Sequence, residues 1–286
     1  MRINVPVLTT FVVAHVLAVL AWLCFSWSAL IVTIVMIVAT SILGIGLGYH
    51  RLMSHSAFRC PPWLAKILVT IGALSVQGEP DYWVGIHRVH HSKVDGPEDQ
   101  SSPYLRKGVI WQFLYSHIGW MFIGDDLKPY KKLAPQRICE GWYFTLLNRR
   151  WFYLVMQVIQ AALFTLLGLA IGGWRGAASM FLWAFAFRIV FVWHCTWLVN
   201  SATHMWGERP YADRLPEDTL DRSGNLWWVA LLTGGEGWHQ NHHYKPGAAN
   251  FGNTKWSFDP GWWIIWTLSK LGLAWDLRTR EYLSKE

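Results

Sequence analysis

Two long apolar blocks alternate along the chain with two polar, aromatic-rich segments. From Val5 to Tyr49 the only ionisable side chain apart from thiol and phenol is His15. That run is too long for one crossing, since roughly 20 residues span a bilayer core. The polar stretch "CFSWSAL" around Ser26 and Ser28 marks the reversal. Trp151 to Asn200 reads the same way, broken at "IGGWRG" (171–176), with Arg188 inside its second half. The pattern predicts four transmembrane helices in two hairpins, over about 7–25, 29–49, 152–171 and 177–199. Two further apolar stretches, "WLAKILVTIGALSVQ" (63–77) and "GWWIIWTLSKLGLAW" (261–275), are short and interrupted by Lys66 and Lys270. They are predicted to lie in the membrane interface, with tryptophans at head-group level.

Composition agrees with a membrane protein. Residues are 53% hydrophobic and only 15% charged, against about 25% charged in soluble domains. Thirteen Lys/Arg fall in 50–150 and nine beyond 200, while the two hairpin turns hold only Arg175. By the positive-inside tendency the N-terminus, the 50–150 loop and the C-terminal region face the cytoplasm. The expected fold is therefore an all-α integral membrane protein, one domain over 1–286, with a cytoplasmic helical cap built from 50–150 and 200–286. The net charge of +7 reads as topology and attraction to anionic membrane lipid, or as a docking face for an acidic redox partner. No nucleic-acid partner is expected. No cleaved signal peptide is expected either, because Arg2 is the only basic residue before the first apolar run. Four cysteines without a CxxC pair argue against a disulfide scaffold.

The histidines change the picture. Nine of the twelve form four groups: His50 and His55 in "HRLMSH", His87, His90 and His91 in "HRVHH", His204 in "NSATH", and His239, His242 and His243 in "HQNHH". All nine fall on the predicted cytoplasmic side, and that topology rests on the apolar runs and Lys/Arg alone. On a helix His87 and His90, or His87 and His91, share a face, while His90 and His91 point about 100° apart, which suits two metal centres. Asn200 and His204, four apart, also share a face. His50 and His55, five apart, must embrace a site from two sides unless the helix loosens between them. Neutral imidazole suits iron, zinc, copper and nickel. Nine imidazoles exceed one tetrahedral zinc, and two ions with four or five nitrogens each is the natural count. His15, His117 and His194 stand alone and read as satisfied core or surface residues.

With "GYHRLMSH", "DYWVGIHRVHH", "SHIGWMF", "NSATH" and "NLWWVALLTGGEGWHQNHH" in view, the chain resembles the membrane-bound fatty-acyl desaturases from about Gly44 to Trp275, in particular the Δ9 type acting on acyl-CoA or acyl-lipid. The resemblance implies two iron ions held by His50, His55, His87, His90, His91, His204, His239, His242 and His243, with Asn200 reaching one metal through water. It implies O2 as co-substrate and two electrons from a ferredoxin or cytochrome b5 type donor. That donor is a separate protein, since no H-P-G-G motif of a fused cytochrome b5 occurs. It further implies a saturated fatty-acyl chain on CoA, acyl carrier protein or lipid, and a cis double bond as product. One segment departs from the family, which usually shows a run such as S-D-x-D-x-D-P after the second box. Here the run is "SKVDGPEDQSSP", with Asp95, Glu98 and Asp99 spaced differently, so the usual carrier is not implied.

A uniform acyl chain offers no polar handle at the reacting carbon, so regioselectivity needs an apolar tunnel past the metals. Gly44 and Gly48 share a face just before His50 and leave room for an acyl chain or for a tightly packed helix. A tunnel end some 10–12 Å beyond the metals falls at Val38 to Ile42, at about 1.5 Å of rise per residue. Glu236, three residues before His239, reads as an acceptor orienting a ligand imidazole or as a surface carboxylate. Arg51 and Arg88 read as anchors for the substrate carrier or as salt-bridge partners. The nearest rival activity is that of a membrane di-iron hydroxylase or ketolase. A metal transporter is further off, because its ionisable groups would line a path within the spans rather than gather at one face.

Overall fold

The computed structural model describes the whole chain except residues 1–2, 124–127, 136–139, 253, 255 and 284–286. Helix α1 (Val5–Leu20) runs on through a 3-10 turn, Ala21–Leu23. After the reversal Ser26 caps helix α2 (Trp27–Val38), its hydroxyl accepting from the Ala29 N–H. An N-cap of this kind satisfies one of the free donors at a helix start. Without a break, α2 then widens into a π-helix over Ala39–Ser54. The helix thus extends beyond the predicted end at 49 and carries His50 within it.

The second apolar block is one continuous run, helix α3 (Arg150–Met180), a π segment (Phe181–Phe187) and helix α4 (Arg188–Met205). Gly172 and Gly173 leave helical geometry, and Gly173 sits at φ 59° and ψ −152°, a combination open essentially to glycine. The chain folds back there. The Arg188 guanidinium donates to Gln160 Oε1 at 2.7 Å although the two lie 28 residues apart, which a straight helix would hold about 42 Å apart. Among the described residues three helices are long and apolar enough to cross a membrane, Val5–Leu23, Trp27–Ser54 and Arg150–Met205. The third, Arg150–Met205, takes in the residues of both predicted spans 152–171 and 177–199.

Smaller helices pack against the π segment 39–54 or against α4: α5 (Pro62–Ala73), α6 (Pro80–Lys93), α7 (Val109–His117), α8 (Trp227–Thr233), α9 (His239–Tyr244) and α10 (Pro260–Lys270). α5 and α10 keep Trp63, Trp263 and Trp266 exposed. The room beside Gly44 and Gly48 is taken by a helix, not by an acyl chain. A Cβ on Gly44 would stand 2.6 Å from Gly72 N, and one on Gly48 2.6 Å from Leu68 O, both on α5. Leu47, Tyr49, Phe58, Val69 and Ile265 close the core beneath this junction.

Arg188 is fully buried and donates to the Leu74 and Ala184 carbonyls as well as to Gln160. His15, His194 and His117 are joined to one another. His15 Nε2 lies 3.0 Å from His194 Nε2, His194 Nδ1 lies 2.9 Å from His117 Nε2, and His117 Nδ1 lies 2.9 Å from Ser201 Oγ. They tie α1, α4 and α7 together away from the other nine.

Candidate metal centre

Four chain segments carry the nine histidines, and their Nε2 atoms turn inward to two places. His50, His55, His87, His91 and His242 form one set, and His90, His204, His239 and His243 the other, with ligand atoms within 4.8 Å of one another in each. The π geometry explains the first box. Its i→i+5 bonding, seen in His55 N–H donating to His50 O at 3.2 Å, lays residues five apart nearly above one another. His50 and His55 therefore join the same set. α6 divides by helical periodicity, with His87 and His91 on one face and His90 turned to the other set. α9 does the reverse, giving His242 to the first set and the i, i+4 pair His239 and His243 to the second.

Each set is fixed from behind. His50 Nδ1 meets Glu236 Oε2. His90 Nδ1 lies 2.9 Å from Asp99 Oδ2, His204 Nδ1 3.1 Å from Asp95 Oδ2, and His243 Nδ1 3.0 Å from Asp221 Oδ2. A carboxylate there accepts the Nδ1–H and leaves Nε2 as a bare lone pair. Burial alone would raise the Asp99 and Asp221 carboxyls, but the imidazoles of His90 and His243 and the Ser101 and Ser223 donors hold both well below the usual carboxylate range. Burial, with the neighbouring histidines adding to it, pushes His87, His91, His239 and His242 well below the usual imidazole value. His243 falls to about 4, burial outweighing Asp221.

This donor set fits a metal. His90 and His243 both commit Nδ1–H to an aspartate, so their bare Nε2 atoms face each other at 3.3 Å with no hydrogen between them. His242 Nε2 lies 2.9 Å from His50 Nε2 and 2.8 Å from His91 Nε2, and one N–H cannot serve both. Converging lone pairs of this kind repel unless a cation sits among them.

Arg51 does not reach outward. It is fully buried, donating to Asp259 Oδ1 at 2.8 Å, Glu236 Oε1 at 3.3 Å and the Ala249 carbonyl at 3.0 Å, with Phe251 beneath it. Arg88 lies exposed on α6.

A cavity of about 520 Å³ runs to the metal sets, lined by apolar residues such as Val7, Phe11, Leu154 and Trp193 and ending on His87 and His90. A smaller one of about 50 Å³ lies beyond, against Ser41, Ile45, Thr233 and His239. Trp83, His87, His90, Thr196 and Asn200 line both and form the neck between them. Trp83 stacks on His87, its indole N–H donating to Gln77 Oε1 at 3.2 Å, and Gln77 Nε2 donates to Thr196 Oγ1 at 2.9 Å. Val38, Ile42, Gly44 and Gly48 line neither cavity. Val38 is on the outer surface, and Ile42 packs on Gly234. Ser41, inside the predicted stretch from Val38 to Ile42, does line the smaller cavity, as does Ile45 just beyond it.

Sequence reasoning named Glu236 but not Asp95, Asp99 and Asp221 as partners of ligand-type histidines. The signal for two of them was present, as acids shortly after His91. Asp221 carried none, since its histidine lies 22 residues on.

The fatty acid desaturase family profile matches residues 25–251. The chain is similar to the sn-2 palmitoyl-lipid 9-desaturase of Nostoc sp. (strain 36), 40% identical over 92% of this chain and 86% of the relative. It is similar to the sn-1 stearoyl-lipid 9-desaturase of Anabaena variabilis, at 41% over 89% and 85%. A third relative, the acyl-CoA C20 Delta5-desaturase of Anemone leveillei, is 34% identical over 95% and 80%.

Proposed function

Because the chain belongs to the fatty acid desaturase family, we propose that it inserts a cis double bond of the Δ9 type into a saturated acyl chain lying through the neck between the two cavities. The enzyme is a fatty-acyl desaturase, an oxidoreductase. The observation that carries the finer reading is that an apolar channel of substrate size passes directly over His87 and His90, which belong to different metal sets.

Two irons are the ions proposed for the histidine sets, the nine imidazoles holding them and Asn200 reaching one of them through water. Bound there, they would supply the O2 activation needed to take hydrogen from unactivated methylenes. What this chain's own residues do is position and protect. The cavity wall strips water from the acyl chain, at about 0.8 kcal/mol per buried methylene. Trp83, fixed by the Gln77–Thr196 link, narrows the passage so that one pair of methylenes stands over the ligands. Glu236, Asp95, Asp99 and Asp221 hold four imidazoles in the tautomer that aims Nε2 inward.

The carrier is proposed to be a membrane glycerolipid. Glu79 and Arg150, the charged side chains lining the large cavity, face each other at 3.6 Å. That paired wall leaves little for the phosphates of CoA or of an acyl carrier protein to gain. Two relatives are named for lipid-linked palmitoyl and stearoyl groups. The topology proposed is four crossings, counting the two limbs of Arg150–Met205, with both termini and the histidines on the cytoplasmic side, as the Lys/Arg distribution supports. Two electrons come from a separate ferredoxin or cytochrome b5 type protein.

Expression in a host lacking unsaturated fatty acids tests the reading, with double-bond positions mapped in lipid and thioester pools. Loss of two hydrogens at one position, appearing first in glycerolipid, is expected. Gain of one oxygen would replace desaturation by hydroxylation, and product appearing first as thioester would overturn the carrier.

A further inference from the structure

The two metal positions differ in what stands behind them. In the four-histidine set, three of four rings rest on a carboxylate: His90 on Asp99, His204 on Asp95 and His243 on Asp221. The other hydrogen bonds to their carboxylate oxygens come from neutral groups, namely the backbone N–H groups of Asp95, Ser101, Arg222 and Ser223 and the Ser101 hydroxyl, while the Arg209 guanidinium donates only to the Asp221 main-chain carbonyl. Asp95 and Asp221 both crowd His204, with ligand-type atoms of the three within 4.8 Å. All three acids are buried.

The five-histidine set is built otherwise. Among the described residues only His50 rests on a carboxylate, Glu236, and that carboxylate is itself ion-paired to the buried Arg51. Arg51 in turn is held by Asp259. Among the described residues, three carboxylates with no Lys or Arg side chain ion-paired to them thus back one position, and a single carboxylate paired to Arg51 backs the other.

A carboxylate accepting Nδ1–H pushes electron density to Nε2 and strengthens it as a donor. Buried negative charge also favours the more highly charged state of a nearby ion. From this we propose that the two metal positions are not interchangeable: the four-histidine position, backed by Asp95, Asp99 and Asp221, holds the more oxidised ion. The inference rests on the di-iron reading above and assigns Asp95, Asp99 and Asp221 as positioning residues that set a potential. With iron bound, the five-histidine position would take the first electron from a one-electron carrier, and the carboxylates behind the four-histidine position would hold its ion ferric until the second. A second electron is needed to reduce the four-histidine ion. Arg51 has the complementary task of cancelling Glu236, so that the five-histidine position accepts the first electron readily.

The full chain, loaded with 57Fe in detergent, is titrated with dithionite through mediators and followed by Mössbauer and EPR spectroscopy. The wild type should pass through a valence-trapped state with separate ferrous and ferric signals. D99N and D221N should raise the second reduction step by at least the ~59 mV that a factor of ten represents for one electron, with the first step little moved. E236Q should move the first step instead, and D221E should restore the second towards its original value. If a variant loses metal, Co(II) titration replaces the potential. Retention at the four-histidine position should then fall by about ten- to a hundredfold with the five-histidine position unchanged. A delocalised pair, or equal shifts of both steps in every variant, overturns the asymmetry. A wild-type protein that binds no iron would instead sink the di-iron reading itself.

Discussion

Gln77 Nε2 donates to Thr196 Oγ1 at 2.9 Å, joining the segment before α6 to the middle of α4 across 119 residues. The bond spans the neck, and the carbonyl of the same amide receives the Trp83 indole N–H. T196V keeps the volume and removes the acceptor, leaving a half-buried amide unpaired at a cost of about 1–3 kcal/mol. The indole then loses its fixed place over His87. Turnover is expected to fall by about tenfold, since small misplacements at a reacting centre are costly, and products should spread over neighbouring double-bond positions. Gas chromatography of the derivatised products checks this, and a single unchanged position would remove the neck from the account of regioselectivity.

Chain length is expected to respond in the small cavity. I45W fills space beyond His87 and His90 and should shift preference to shorter acyl chains. G44A meets the α5 backbone rather than substrate. It should lower the melting temperature through overpacking, about 1–3 kcal/mol, with the chain preference of the remaining active enzyme unaltered. A competition assay with acyl groups of graded length separates the two.

Acid sensitivity follows from the imidazoles. His87, His91, His239 and His242 are held below their usual value of 6.5 by burial. The unfolded chain therefore binds more protons than the folded one below that pH, and stability falls as pH drops through about 6.5. The depressed carboxyls of Asp99 and Asp221 act lower, their contribution being complete above the ordinary value of 3.8 and lost only well beneath it. Melting temperature of the metal-stripped protein from pH 8 to pH 4 should decline from near 6.5 downward. A plateau to pH 5 would contradict the burial of neutral imidazoles.

Arg188 offers a test of the fold alone. R188L removes the donor to the buried Gln160 Oε1 and one of two donors to the Leu74 carbonyl, which keeps Gln160 Nε2 at 3.3 Å. The unpaired amide oxygen costs about 1–3 kcal/mol, so the variant should melt below the wild type. Iron content per folded chain should be unchanged, because Arg188 touches none of the nine histidines.

Much of the molecule was legible along the chain. The apolar blocks, their reversals and the clustering of histidines at one face depend on local composition and periodicity, and the spacing of His90 and His91 already pointed those two to different centres, while His87 could side with either. The first box was legible only as a choice, because an ideal α-helix separates His50 from His55. The π-helix that resolves it has no sequence rule.

The glycines show why the rest was hidden. Gly44 and Gly48 announce a close approach, but a helix and an acyl chain both fill such a gap, and which one comes is decided by where α5 lies. Asp95 on His204 and Asp221 on His243 are likewise products of packing. A residue's own helix sets its face, and its partner's helix, brought in from far along the chain, sets what that face meets. Sequence by itself determined nine inward imidazoles beside a membrane. Only the tertiary structure decided their division into five and four, the charge behind each set and the path of the cavity between them, because those contacts join segments that no local pattern relates.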